Sequence, residues 1–291
     1  MIKYIFERCV IDVKVITNEI IKNFENYLYE EERSDNTIEK YLRDVRAFYK
    51  NVGNKELKKA DILGYKKELC ENYAPKSVNS VLSSLNSLFI FMGWYELKVK
   101  TLKIQRRIFA DKSRELTKAE YERLLTAARN KKNKRLYYLM QTIASTGLRV
   151  SEIKYITVDA VNIGQVTINC KGKIRQIFLP NMLCKMLKEY IKSQSIKGGA
   201  VFVSRNGKPL DRSNIWKMLK DLCKTAGVSR DKVFPHNFRH LFARTFYSLQ
   251  KDIVRLADIL GHSSIETTRI YTMESGTEHI KLIQKLGLLQ C

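Results

Sequence analysis

The sequence predicts a mainly α-helical chain in two parts with one small β-hairpin, an α+β fold. Three observations predict it. Apolar residues recur at i, i+3, i+4 and i+7 through most of 17–93 and again beyond Leu116. The section 165–179 alternates apolar and polar residues instead. Between the helical stretches, residues 98–114 (KVKTLKIQRRIFADKSR) lose periodicity and carry many basic side chains. A length of 291 residues also suits two domains. The expected divisions are a helical domain over 1–100, a basic linker over 101–114 and a second domain over 115–291.

Each element has a local cause. Thr17 is placed to cap a helix that turns Ile20, Ile21, Phe24, Tyr27 and Leu28 inward. Asp35, Asn36 or Thr37 caps the next, where Ile38, Tyr41, Leu42, Val45 and Phe48 share a face and Gly53-Asn54 stops the chain. A third helix covers 58–72 with Ile62, Tyr65 and Leu69 inward. Pro75 opens a fourth, with Val78, Val81, Leu82, Leu85, Leu88 and Phe89 on its apolar side, which completes a four-helix bundle. In the second part Thr117 and Glu120 form a capping box for a helix over 118–129, and another follows at 134–146. Gln165–Cys170 and Arg175–Leu179 alternate about the turn Lys171-Gly172-Lys173, a hairpin with a basic tip. Helices resume at 181–194, 212–226, 236–250, 252–260 and 264–271, and an amphipathic tail covers 277–289.

Composition narrows the function classes. Lys and Arg number 53 against 30 Asp and Glu, a net charge of +23. Such a surplus attracts polyanions and releases their counterions on binding. Nucleic acid is the leading partner. An anionic membrane is second, but it calls for a basic amphipathic helix or a compact polybasic tail, whereas here the charge is spread along the chain. No apolar run approaches the ~18–20 residues of a membrane span. The N-terminal stretch, broken by Lys3, Glu7, Arg8, Asp12 and Lys14, has no signal-peptide core. Six scattered cysteines without a CxxC pair suit a reducing cytoplasm rather than a disulfide scaffold or zinc ribbon.

Three motifs in the second part carry chemistry. Thr146-Gly147-Leu148-Arg149-Val150-Ser151-Glu152 puts Arg149 at a corner where one helix ends and another begins. His236-Asn237-Phe238-Arg239-His240 places His236 and Arg239 on one helix face, i and i+3. A zinc pair from His236 and His240 is the other reading, but no HExxH pattern or neighbouring cysteine supports it. Leu260-Gly261-His262 ends a helix, Ser263 or Ser264 caps another, and Tyr271 follows two turns on. Three of the chain's four histidines fall in these motifs. Paired arginines clamp a phosphate and offset charge in its transition state. A tyrosine can form a covalent phosphoester, and a lysine can protonate a departing alkoxide. Such chemistry requires neither metal nor nucleotide cofactor.

At these residues the chain resembles the tyrosine recombinase (phage integrase) family, closest in size to compact Xer-like recombinases and small mobile-element integrases. Order, spacing and wording match: Thr-Gly-Leu-Arg-x-Ser-Glu at 146–152, His236-x-x-Arg239, Leu-Gly-His at 260–262, and Tyr271 nine residues later. The resemblance covers most of 17–275. It implies a core-binding domain followed by a catalytic domain. It implies that Arg149 and Arg239 hold the scissile phosphate, that His236 assists proton transfer, and that His262 bonds the same phosphate. Tyr271 would attack to give a 3′-phosphotyrosyl enzyme and a free 5′-hydroxyl. Lys171 would be the general acid, with Lys173 its rival because the hairpin is one residue shorter than the Xer pattern. Glu152 would orient Arg149, and His240 would stand behind the reacting groups.

The N-terminal wording Ser34-x-x-Thr37-x-x-x-Tyr41-x-x-Asp44 also fits the family, while Ser80 and Asn86 stand where arginines are common. The implied function is a site-specific DNA recombinase serving integration, excision or inversion. A type IB-like topoisomerase and a catalytically silent DNA-binding regulator are the alternatives. The implied partners are a double-stranded recombination site, further copies of the chain as a tetramer on two duplexes, and an accessory directionality factor. The implied setting is the bacterial cytoplasm or nucleoid. The tail at 277–289 is expected to dock on a neighbouring subunit.

Overall fold

The computed structural model describes residues 14–104, 112–170, 173–204, 206–262 and 264–271. The chain forms two compact units, Met1–Arg106 and Arg107–Cys291.

Among the described residues the first unit holds four α-helices: α1 (Asn18–Glu30), α2 (Asp35–Val52), α3 (Lys59–Asn72) and α4 (Pro75–Phe91). Thr17 caps α1 through its side chain, which accepts from the Ile20 amide. The cap of α2 is Ser34, one residue before the expected candidates; its hydroxyl bonds that of Thr37 at 2.9 Å. Phe24, Phe48 and Phe89 are fully buried and make aromatic contacts with one another's neighbours, Phe48 lying 5.0 Å from Tyr65 and 6.3 Å from Phe89. Each such ring contributes about 1.5–3 kcal/mol by leaving water. The carboxylate of Asp44 is buried between α2 and α4. It accepts from Ser84 Oγ at 2.9 Å and pairs with Lys40 Nζ at 2.7 Å. Lys40 also donates to Ser84 Oγ and the Ser80 carbonyl. The family-like wording around Asp44 therefore holds two helices together.

The chain leaving α4 is latched to the bundle. Lys59 and Lys66 on α3, and Asn79 and Asn86 on α4, are each seven residues apart, two helical turns along one face. Lys59 donates to the carbonyls of Glu96 and Lys98, and Lys66 to that of Lys100. Asn86 exchanges two hydrogen bonds with the backbone of Val99, and Asn79 two with Leu102, all between 2.7 and 3.0 Å. Asn86, at a position where the family commonly has arginine, thus serves as a backbone clamp. Thr101 and Leu102, the first residues of the expected linker, lie in this latched stretch.

The second unit is larger and mixed. Helices α5 (Lys118–Asn130) and α6 (Lys134–Thr146) open it, and the capping box of Thr117 and Glu120 is formed. A 3₁₀ turn (Val150–Tyr155) and the short helix α7 (Val158–Ile163) follow. Strands β1 (Gln165–Cys170) and β2 (Lys173–Phe178) pair antiparallel with Ile168 opposite Arg175. Val166, Ile168 and Ile177 face the core while Ile174 and Phe178 are exposed. Then come α8 (Asn181–Ser193), α9 (Arg212–Ala226), α10 (Pro235–Gln250), α11 (Ile253–Leu260) and α12 (Ile265–Thr268).

The helix expected over 264–271 is divided: α12 has four residues, and Arg269–Tyr271 continues as a 3₁₀ turn. Its β-branched run Ile265, Thr267, Thr268 is a weak helix former. The start of the unit is pinned to α10: Asn237 donates to the Arg114 carbonyl at 2.7 Å, and Arg244 binds Glu115 and the Leu116 carbonyl. Among the described residues no helix is long and apolar enough to cross a membrane.

Candidate active site

The cleft is assembled where helices end. Helix α6 stops at Gly147, which takes a left-handed conformation (φ 66°). A Cβ there would lie 2.6 Å from the Phe242 ring, so glycine serves both the turn and the close approach of α10. Two residues on, Arg149 precedes the 3₁₀ turn. Its amide and guanidinium both bind Glu152, at 2.7 and 3.0 Å. Glu152 is 3% exposed and acts as the expected orienting carboxylate. Helix α11 stops at Gly261 (φ 63°), and His262 follows directly.

Arg239 projects from α10 into the space between these two helix ends. It is only 1% exposed. Nη1 donates to the Gly147 carbonyl at 2.6 Å, and Nη2 to the Leu260 carbonyl at 2.7 Å and to His262 Nε2 at 3.0 Å. Carbonyls at helix C-termini carry partial negative charge, so they satisfy the guanidinium without cancelling its charge. Burial, and then the nearby Arg149, lower its pKa to about 10, so it remains charged at neutral pH.

The rings form a chain around Tyr271. His236 meets His240 edge to face at 4.6 Å, His240 meets Tyr271 at 4.7 Å, and His262 stacks on Tyr271 at 6.0 Å. Tyr271 is 4% exposed. Desolvation, then neighbouring positive groups, push His240 and His262 down to about 4. His236 is lowered for the same reasons, desolvation first and then Arg239 and Arg149. All three imidazoles are neutral at pH 7.

The structure thus gathers Arg149, His236, Arg239, His262 and Tyr271. Lys171 lies outside the described residues, as does the tail after Tyr271. Lys173 begins β2, and its side chain is likewise outside the description. One residue escaped sequence reasoning. Arg175 on β2 donates to Glu152 Oε2 at 2.5 Å and to the Ile259 carbonyl at 3.1 Å. Its side chain lies against Gly261 so closely that a Cβ there would come within 2.5 Å of Arg175 Cδ. Arg175 therefore ties the hairpin to the carboxylate that orients Arg149 and to the end of α11. The signal was available: a basic residue inside an alternating strand, close to a basic tip.

Comparison with known proteins agrees with this geometry. Residues 114–278 match the phage integrase family, and residues 21–95 match the phage integrase N-terminal SAM-like domain. The tyrosine recombinase XerA of Thermococcus kodakarensis is 32% identical, over 92% of this chain and 98% of that protein. The fold is also that of the Tn1549 transposon integrase in complex with transposon right end DNA (TM-score 0.71, 17% identity, 93% of this chain and 99% of that one). It is shared with the XerH site-specific recombinase bound to its difH substrate (TM-score 0.65, 18% identity, 93% and 90%). Fold and relatives together define a tyrosine-type site-specific recombinase. The chain belongs to the phage integrase family.

Proposed function

We propose that this protein cleaves and rejoins DNA at a specific site through Tyr271, with Arg149 and Arg239 holding the scissile phosphate. The observation that carries this reading is the Arg239 environment: a desolvated guanidinium, satisfied by two carbonyls with no carboxylate bound to it among the described residues, and hydrogen-bonded to the imidazole that stacks on a buried tyrosine. A phosphate entering there meets preorganised positive charge in a low-dielectric cleft, where such charge acts most strongly on a transition state. Tyr271 Oη forms the new bond to phosphorus as the bond to O5′ breaks. The phenolic proton passes to His236, which is neutral and able to accept it. O5′ takes a proton from Lys171, with Lys173 as the rival donor. The reverse steps, with a different 5′-hydroxyl, rejoin the strands.

The neighbours' DNA complexes and the charge of +23 support duplex DNA as the partner. We place the reaction in the cytoplasm or nucleoid and assign a tetramer on two duplexes as the working assembly, with an accessory directionality factor. The test uses nicked duplexes recovered by binding selection, without metal or ATP. An SDS-resistant adduct at one position, absent from Tyr271→Phe while affinity is kept, is the expected result. Adducts scattered without preferred position would instead indicate a topoisomerase, and binding without any adduct a silent regulator. Affinity is expected to fall by about 10³–10⁵ between 50 and 200 mM salt.

A further inference from the structure

The hydrogen bonds of His262 specify one tautomer. A guanidinium can only donate, so the 3.0 Å contact from Arg239 Nη2 makes Nε2 the acceptor. The ring proton is then on Nδ1, which donates to Thr268 Oγ1 at 2.8 Å. In this form His262 has no N–H to offer a phosphate oxygen. A phosphate bound by Arg239 draws Nη2 toward itself, and Nε2 loses its donor.

We propose that Thr268 is a positioning residue that lets His262 change tautomer when the phosphate arrives. Its hydroxyl accepts from Nδ1–H in the DNA-free protein and rotates to donate to Nδ1 in the complex, leaving Nε2–H directed at the phosphate. This rests on the reading that Arg239 and His262 hold the scissile phosphate. The proton count balances: one proton leaves Nδ1 for solvent, one from solvent reaches Nε2, and the ring stays neutral.

A hydroxyl suits this task because one atom both donates and accepts. A backbone carbonyl would lock Nδ1–H in place. A carboxylate would draw the ring toward imidazolium. Thr268 is fully buried, and His262 is its only side-chain hydrogen-bond partner among the described residues, so rotation breaks nothing else. Among the described residues, the titratable groups that bear on His262 are Arg239, Arg149, Arg175 and His236, with the Tyr271 ring stacked on it; burial and then these groups oppose a second proton on the ring. Thr268 also stands three residues before Tyr271 on the same short helical segment, so the switch sits between the phosphate ligand and the nucleophile.

The direct test is the nitrogen–proton correlation spectrum of the His262 ring in the full-length Tyr271→Phe protein, assigned with His262→Gln. Spectra are compared with and without the selected duplex. The expected result is Nδ1–H in the free protein and Nε2–H in the complex. A ring that keeps Nδ1–H, or that becomes doubly protonated, overturns the proposal. In single-turnover cleavage, Thr268→Val should be about tenfold slower with unchanged DNA affinity, the effect of one hydrogen bond, and Thr268→Ser should restore the rate. Wild-type cleavage by the valine variant, or an equal loss in the serine variant, also overturns it. If the wild-type protein forms no adduct, the phosphotyrosine reading itself falls. An adduct with an unchanging His262 tautomer removes only the role of Thr268.

Discussion

The two units bury charge in opposite ways. In the first, Asp44 sits between helices with Lys40 as its counter-charge and Ser84 as a further donor. In the second, Arg239 is buried more deeply, yet its direct partners are two carbonyls and an imidazole. A charge kept for stability is matched by an opposite charge. A charge satisfied by neutral dipoles, as Arg239 is, remains available to an incoming anion, which is the use the proposed reaction makes of it. Arg175 lies between these cases, because it shares the Glu152 carboxylate with Arg149. Arg149 and Arg175 thus meet on Glu152, while Arg239 has no carboxylate among its hydrogen-bond partners in the described residues.

Substitutions at these positions should separate the two uses of charge. The largest effect is expected for Arg239→Met. Cleavage should fall by about 10²–10³ or more, with stability within about 1 kcal/mol of wild type, because relief of the desolvated charge offsets the carbonyls that lose a donor. A variant that unfolds much more readily, with cleavage per folded molecule intact, would assign Arg239 to the Asp44 class. Next is Arg175→Met, where displacement of the hairpin should slow cleavage by up to about 10²-fold while DNA binding is kept. A 5′-bridging sulfur at the scissile position, whose thiolate leaves without protonation, should recover most of that loss. No recovery would show that Arg175 acts on Arg149 rather than on the hairpin lysine.

Asp44→Ala should do the reverse of Arg239→Met. It should cost about 1.5–3 kcal/mol in denaturant unfolding and leave cleavage per folded molecule unchanged. The last expectation is read against pH rather than by substitution. His240 and His262 have folded-state values of about 4, below the ordinary 6.5. The unfolded chain therefore binds protons first as pH falls, and stability should decline between pH 6.5 and about 4 while remaining flat above 6.5. Because His236 is also lowered, the acid limb of single-turnover cleavage should lie below pH 6.5. A limb at or above 6.5 would exclude neutral His236 as the proton acceptor.

Much of this was legible in one sequence, for identifiable reasons. Helices α6 and α9 fall on their expected residues because each has a clear start and a glycine stop, Gly147 and Gly227. Arg149, His236, Arg239, His262 and Tyr271 stand out because short words at helix ends place them, and helix ends are what the cleft is built from. Helix α7 escaped because six residues are too few to show a period. Arg175 escaped because its partners, Glu152 and the Ile259 carbonyl, lie 23 and 84 residues away. The tautomer of His262 was equally out of reach, since it depends on Arg239 and Thr268 approaching the ring from two different elements.

The asparagine and lysine latch decides where the first unit ends. Four side chains on α3 and α4 hold the chain against the bundle as far as Leu102. The amides of Val99 and Leu102 are thereby closed off by Asn86 and Asn79 rather than by secondary structure. Cutting both asparagines to alanine should leave the bundle folded and open these two amides to solvent, read as hydrogen exchange that quickens there and nowhere else in the unit.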